Sequence, residues 1–209
     1  MADLRIEEYN VGDIGTNCYF IVNADTKEMV IIDPGGDGAD LIRRIKERGL
    51  KLQAVLLTHG HYDHAHHARM VADAFGVSVY ASEKEEATMH DIQKNVSAMF
   101  GNPETYDADV YTKDGDVLEL AGFKIKVIST RDTLSGCCYY FEGNKVLASG
   151  DTLFCGSVGR TDFKGGSMSD LVRSVKEKLF KLPNDTAVLP GHEARTTIGY
   201  EKQYNMYLA

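Results

Sequence analysis

The sequence predicts an α/β chain made of two β-sheets flanked by helices. Two observations carry this expectation. Short strand-like runs bounded by turn residues fill the first third of the chain and most of its second half, while helical spacing is confined to a few stretches. Most successive strand pairs also lack the crossover helix that a doubly wound parallel sheet requires. At 209 residues, with no repeat, low-complexity tract or linker, the chain is expected to form one domain over 1–209.

The elements follow in order. Leu4 to Tyr9, Cys18 to Val22 and Met29 to Asp33 are apolar-rich runs separated by turn residues such as Asn23-Ala24-Asp25 and Pro34-Gly35-Gly36. Ala39 to Arg48 places Leu41, Ile42 and Ile45 at helical spacing and stops at Gly49. Gln53 to Leu57 is a buried strand, and Ala65 to Phe75 a helix ended by Gly76. Val77 to Tyr80 is a short strand. Ser82 with Glu85 three residues on has the spacing of a capping box for a helix over Lys84 to His90. The stretch from Asp91 to Asp107, broken by Asn102-Pro103, is irregular and suited to shape a substrate mouth. Strands return at Val110 to Thr112, Val117 to Leu120, Lys124 to Ser129, Cys138 to Glu142 and Val146 to Ser149, with a hairpin at Gly143-Asn144. A helix over Ser169 to Phe180, a strand over Ala187 to Leu189 and a helix near Gly199 to Tyr207 close the chain.

A net charge of -8 argues against a general nucleic-acid binder. No apolar run approaches the roughly 18 residues of a membrane span, and the charged start Met1-Ala2-Asp3-Leu4-Arg5 is unlike a signal peptide. Cys18, Cys137, Cys138 and Cys155 form no Cys-x-x-Cys pair, so they are read as reduced, mostly buried residues of a cytoplasmic protein. Cys137 and Cys138 should point to opposite faces of their strand.

Five of the seven histidines lie between positions 59 and 67. Imidazole and carboxylate are the usual companions around zinc and iron. His59, His61, Asp63 and His64 follow a strand directly, so a tight turn fans them toward a common point. Alternation places His59 and His61 on one side, while Asp63 and His64 begin the next helix, an arrangement suited to two metals side by side. Asp151, behind Gly150, and His192, in Pro190-Gly191-His192, each sit just past a strand end. Convergence of three strand ends, each offering a ligand, marks a site more strongly than any one alone. His66 and His67 fall inside the following helix and are read as packing or solvent-facing residues. His90 is read as a surface residue, and Thr16 and Asn17 as strand-edge residues. Asp33 either orients a ligand histidine or shapes its turn.

Thr58-His59-Gly60-His61-Tyr62-Asp63-His64, with Ile32-Asp33-Pro34-Gly35-Gly36, the segment Ser149 to Asp162, Pro190-Gly191-His192 and Thr196 to Glu201, resembles the metallo-β-lactamase fold superfamily nearly end to end. The likeness is nearest to its single-domain, glyoxalase II-like hydrolases. The resemblance implies an αββα four-layer sandwich of two mixed sheets flanked by helices, with a two-metal site at one edge. It implies Zn2+ at both positions, with Fe or Mn as alternatives. One metal would take His59, His61 and a third residue, the other Asp63, His64 and His192, with Asp151 bridging. Asp63 and Asp151 would be the catalytic carboxylates. The third ligand of the first position is a histidine in similar proteins and aligns here with Asp132, in a loop one residue shorter. An Asp reaches less far than a His, so the first position is expected to be weaker, and a further carboxylate favours harder ions.

The implied activity is hydrolysis of a small-molecule thioester or ester by a hydroxide held between the metals. The alternatives are an iron-dependent persulfide dioxygenase-like reaction and a metal-binding protein with little activity. Only residues 193–209 follow His192, so the helical domain with which larger glyoxalase II proteins grip glutathione is not expected. Arg160 and Lys164 are candidates for an anion-binding patch, Tyr106 and Tyr111 for the site mouth.

Overall fold

A computed structural model of the chain describes residues 2–130, 136–162 and 166–208. The two-sheet expectation holds. The first sheet has the order β1 (Leu4–Val11), β2 (Thr16–Asn23), β3 (Glu28–Ile32), β4 (Lys51–Leu56), β5 (Ser78–Ser82) and β6 (Val110–Thr112). Its first three strands pair antiparallel and the rest parallel. The parallel pairs need crossovers. α1 (Gly38–Glu47) supplies one, and α2 (Tyr62–Ala65) with α3 (Ala68–Phe75) another. The short helix α4 (Glu86–Met89) lies between β5 and β6.

The second sheet contains β7 (Val117–Leu120), β8 (Phe123–Ser129), β9 (Cys137–Phe141), β10 (Val146–Gly150), β13 (Ala187–Pro190) and β14 (Thr196–Thr197). Only β10 and β13 pair parallel. A small hairpin of β11 (Leu153–Phe154) and β12 (Ser157–Val158) follows β10. Helices α5 (Met168–Glu177) and α6 (Ile198–Tyr204) complete the described elements.

The period-2 alternation of the strands builds three apolar layers. On β2, Cys18, Phe20 and Val22 face the layer under α1 and α3, while Tyr19 and Ile21 face the layer between the sheets. On β9, Cys137, Tyr139 and Phe141 enter that same middle layer, and Cys138 and Tyr140 the layer under α5. The adjacent cysteines therefore point to opposite faces, as the strand pattern predicts, and none of the four cysteines forms a disulfide. Each large side chain so buried contributes about 1.5–3 kcal/mol, and this three-layer apolar stacking is what an αββα sandwich requires.

Several boundaries differ from the sequence pattern. The helix predicted over Ala65 to Phe75 is split, because the His67 N–H donates to the Pro34 carbonyl at 3.2 Å and its Nδ1 accepts from the Gly38 N–H at 3.3 Å. The capping box is half made. Ser82 Oγ accepts from the Lys84 N–H at 3.4 Å, but the Glu85 carboxylate turns away to Gly60. The α5 helix ends at Glu177 and a 3-10 turn over Leu179–Lys181 continues it. The two-residue strands β11, β12 and β14 are too short to leave a periodic signal. Among the described residues, no helix is long and apolar enough to cross a membrane.

Candidate metal centre

Three strands deliver the site at one rim of the sandwich: β4 leads into His59, β10 into Asp151, and β13 into His192. Asp33, just past β3, organises the first turn. Its Oδ1 accepts the Thr58 N–H at 2.8 Å, and its Oδ2 accepts the Thr58 hydroxyl at 2.6 Å and His64 Nδ1 at 2.9 Å. The His64 ring is thereby fixed with Nε2 toward Asp63 Oδ2 at 3.3 Å and Asp151 Oδ1 at 3.4 Å. Close approach is possible because Gly150, at φ 48°, lies where a Cβ would meet Thr58 Oγ1 at 2.3 Å.

His192 arrives from the other sheet, its Nε2 3.1 Å from Asp63 Oδ2 and 3.8 Å from Asp151 Oδ1. Its turn is clamped by β2. The Asn17 N–H donates to the Gly191 carbonyl at 2.7 Å, and Asn17 Nδ2 to the Pro190 and Glu193 carbonyls at 3.1 and 2.9 Å. Tyr19 Oη donates to the Pro190 carbonyl at 2.7 Å. Thr16 Oγ1 donates to Asp63 Oδ2 at 2.8 Å.

Two donor groups result, His59 with His64 and Asp151, and Asp63 with His64 and His192, each with its ligand atoms within 4.8 Å of one another. His61 lies outside both, its Nδ1 3.1 Å from His59 Nε2. The electrostatics are those of a cation site. Burial alone would raise the carboxyls of Asp63 and Asp151, but His64 and the neighbouring imidazoles outweigh it and hold both well below the usual range. Burial would lower His64 and His192, but the surrounding carboxylates raise both. Burial, then His64 and His61, push His59 down. The buried His64 Nε2 makes no sound hydrogen bond, although two carboxylate oxygens are close. A ring nitrogen aimed between carboxylates and left without a hydrogen bond is what a bound cation would satisfy, so the donor set fits a divalent metal.

The model of the metallo-β-lactamase superfamily matches residues 11–192. The chain belongs to that superfamily. A relative of this metallo-β-lactamase-fold chain is hydroxyacylglutathione hydrolase GloC of Haemophilus influenzae, 36% identical over 210 residues, covering 98% of this chain and 98% of the relative. The structure is similar to that of the B3 metallo-β-lactamase BLEG-1, with a TM-score of 0.91 and 38% identity over 98% of this chain and 99% of the other. It is also similar to TTHA1623, solved in a di-iron-bound form, with a TM-score of 0.84 and 28% identity over 97% of this chain and 100% of that one.

Of the residues singled out in the sequence of this superfamily member, the structure brings together His59, Asp63, His64, Asp151 and His192, with His61 alongside. Asp132 and Lys164 lie outside the described residues. His66 pairs with Glu104 at 3.0 Å and His67 with the Gly38 N–H, so neither joins a donor group. His90 is exposed, 3.6 Å from Asp107. Tyr106 and Tyr111 pack against the layer under α1 and α3, and Arg160 pairs with Asp162. Asp33 does orient a histidine of the site. Thr16 and Asn17, read from the sequence as strand-edge residues, are buried in β2 between two strands and bond the site, and Tyr19 was passed over. The available signal was polar residues inside a strand whose eight positions are all buried, since buried polar groups are there to bond something.

Proposed function

We propose that the chain is a metal-dependent hydrolase of a thioester, with His59, His61 and Asp151 at the first metal position and Asp63, His64 and His192 at the second. Asp132 is the proposed further donor of the first position. The observation that carries the reading is the His64 Nε2 atom, buried without a sound hydrogen bond between two carboxylates. The likeness to a hydroxyacylglutathione hydrolase supports the thioester substrate. A divalent metal, when bound, supplies Lewis acidity that polarises a carbonyl and acidifies water at neutral pH.

The chain's own residues do the rest. Asp33 holds the His64 ring by Nδ1, and Thr16 fixes one oxygen of Asp63. Asp63 and Asp151 stay ionised, so they attract the cation and offer hydrogen-bond acceptors to water. A thiolate leaving group needs little protonation, so no separate general acid is required. Zinc is the favoured ion for this nitrogen-rich donor set. Iron in the same donors, with oxidation of a persulfide, is the second reading, and the likeness to a di-iron protein favours it.

The test is to load the purified protein with zinc, iron or manganese in turn. Hydrolysis of S-lactoylglutathione and of simple thioesters is measured beside oxygen uptake with glutathione persulfide. Thioester turnover with zinc, lost in His64→Ala and Asp151→Ala, is the expected result. Oxygen uptake without thioester turnover overturns hydrolysis in favour of the iron reaction, and no turnover on any substrate leaves metal binding alone.

A further inference from the structure

Glu85 is 1% exposed and sits in the 3-10 turn Glu83–Glu85 after β5. A carboxylate is tolerated at such depth only where its hydrogen bonds outweigh the cost of leaving water. Its Oε2 accepts the N–H of Gly60 at 2.5 Å, in a buried bond spanning 25 residues. Gly60 is the residue between His59 and His61. A Cβ at Gly60 would lie 2.4 Å from Met89 Cγ and 3.1 Å from Glu85 Oε2, so the His-Gly-His turn is pressed directly onto the β5–α4 connection.

We propose that Glu85 is a positioning residue for the first metal position. Its carboxylate pins the Gly60 N–H and so sets how His59 and His61 are presented, at 3.1 Å between His59 Nε2 and His61 Nδ1. The inference rests on the reading that these histidines hold a cation. A hydrogen bond to an ionised acceptor is roughly twice as strong as one to a neutral acceptor, so Glu85→Gln probes the charge at this contact and Glu85→Ala the contact itself. The second position is braced by other residues: Asp33 on His64, Thr16 on Asp63, and Asn17 and Tyr19 on the turn of His192. None of those bonds involves Gly60, so loss of Glu85 acts selectively. The Ser82-to-Glu85 spacing that looks like a helix cap thus serves the metal turn instead.

The test compares zinc titrations of wild-type protein, Glu85→Ala and Glu85→Gln by calorimetry, with zinc content after dialysis against a chelator. The Gly60 amide proton resonance is read in the metal-free proteins. Glu85→Ala is expected to weaken the weaker of two zinc steps by about 10–100-fold, the usual cost of removing a group that orients ligands, and to leave the tighter step within about 2-fold. Glu85→Gln keeps an acceptor and is expected to weaken the same step by about 2–10-fold. The Gly60 amide resonance moves upfield in Glu85→Ala. Where Glu85→Ala does not fold, Glu85→Gln carries the test through its selective loss at the weaker step. Equal weakening of both steps, no weakening of either, or a single zinc step that the variants leave unmoved overturns the role of Glu85. Wild-type protein that takes up no zinc sinks the metal reading itself, whereas two zinc steps with unaltered variants sink only this inference.

Discussion

Asp33 Oδ2 accepts the His64 Nδ1 proton at 2.9 Å while Asp33 Oδ1 accepts the Thr58 N–H at 2.8 Å, so one buried carboxylate joins the turn before His59 to the ring of His64. The relationship fixes both the tautomer and the direction of the ring that belongs to both donor groups. Because that ring is common to both donor groups, Asp33→Ala is expected to weaken both zinc steps, by about 10–100-fold. Leaving the Thr58 N–H and the His64 ring buried without this partner should cost about 2–4 kcal/mol of stability. Zinc titration and urea unfolding of the metal-free variant check the two parts. Unchanged zinc affinity would reduce Asp33 to a turn former.

The imidazoles give the metal-free protein a definite pH dependence. His64 and His192 are raised by Asp63 and Asp151 against the lowering effect of burial. A raised histidine contributes stability that is fully present below its unfolded pKa of about 6.5 and is lost as pH rises through the folded value. His59 is depressed by burial, so it matters only below about pH 6.5, where the unfolded chain takes up a proton that the folded one refuses. The depressed Asp63 and Asp151 lose their contribution only in acid, below about pH 4. Between about pH 6.5 and 8, before thiols titrate, His64 and His192 dominate the site. The melting temperature in chelator should therefore fall across that interval. With zinc bound, the cation replaces those protons, and the melting temperature should hold or rise over the same interval. Parallel falls with and without zinc would contradict the assignment.

The strands were legible as short apolar runs between turn residues. Cys18 to Val22 is apolar throughout because both faces of β2 are covered, Cys18, Phe20 and Val22 by one layer and Tyr19 and Ile21 by another. The convergence was legible because His59, Asp151 and His192 sit just beyond recognisable strand ends and Asp63 and His64 follow in the same turn. What periodicity could not show is bonding between segments remote in sequence. Asn17 reaches the carbonyl of Glu193 across 176 positions, and nothing near Asn17 marks that partner. Glu85 misled for the opposite reason. Its local spacing to Ser82 fits a helix cap, and a buried tertiary contact with Gly60 takes the side chain instead. The helix break at His67 has the same origin, a backbone bond to Pro34 that outcompetes the helical pattern.

Glu193 follows His192 with a φ of 66°, a left-handed conformation held by the Asn17 bond to its carbonyl. A residue with a Cβ in that region costs about 1–2 kcal/mol, while glycine adopts it freely but loses about 0.5–1 kcal/mol of chain entropy on folding. Glu193→Gly should therefore stabilise the metal-free protein by about 0.5–1 kcal/mol. Glu193→Ala, which keeps the Cβ, should give no such gain. Urea midpoints of the three proteins decide it, and a gain in the alanine variant equal to that in the glycine variant would show that backbone strain is not the cause.

Gly191 separates geometry at the site from backbone freedom elsewhere. A Cβ there would lie 2.4 Å from Asp151 Oδ1 and 2.6 Å from His64 Cε1. Gly191→Ala must displace the carboxylate of one donor group and the ring common to both, so both zinc steps should weaken together, by about 10-fold or more. Gly76 is the left-handed residue ending α3 at φ 65°, remote in sequence from every ligand strand end, and a Cβ added there would meet nothing within 4 Å. Gly76→Ala should cost about 1 kcal/mol of stability through backbone strain alone and leave zinc binding unaltered. Zinc calorimetry and urea unfolding of the pair therefore give opposite patterns. If Gly191→Ala weakened only one zinc step, His64 and Asp151 would not couple the two positions as the donor groups imply.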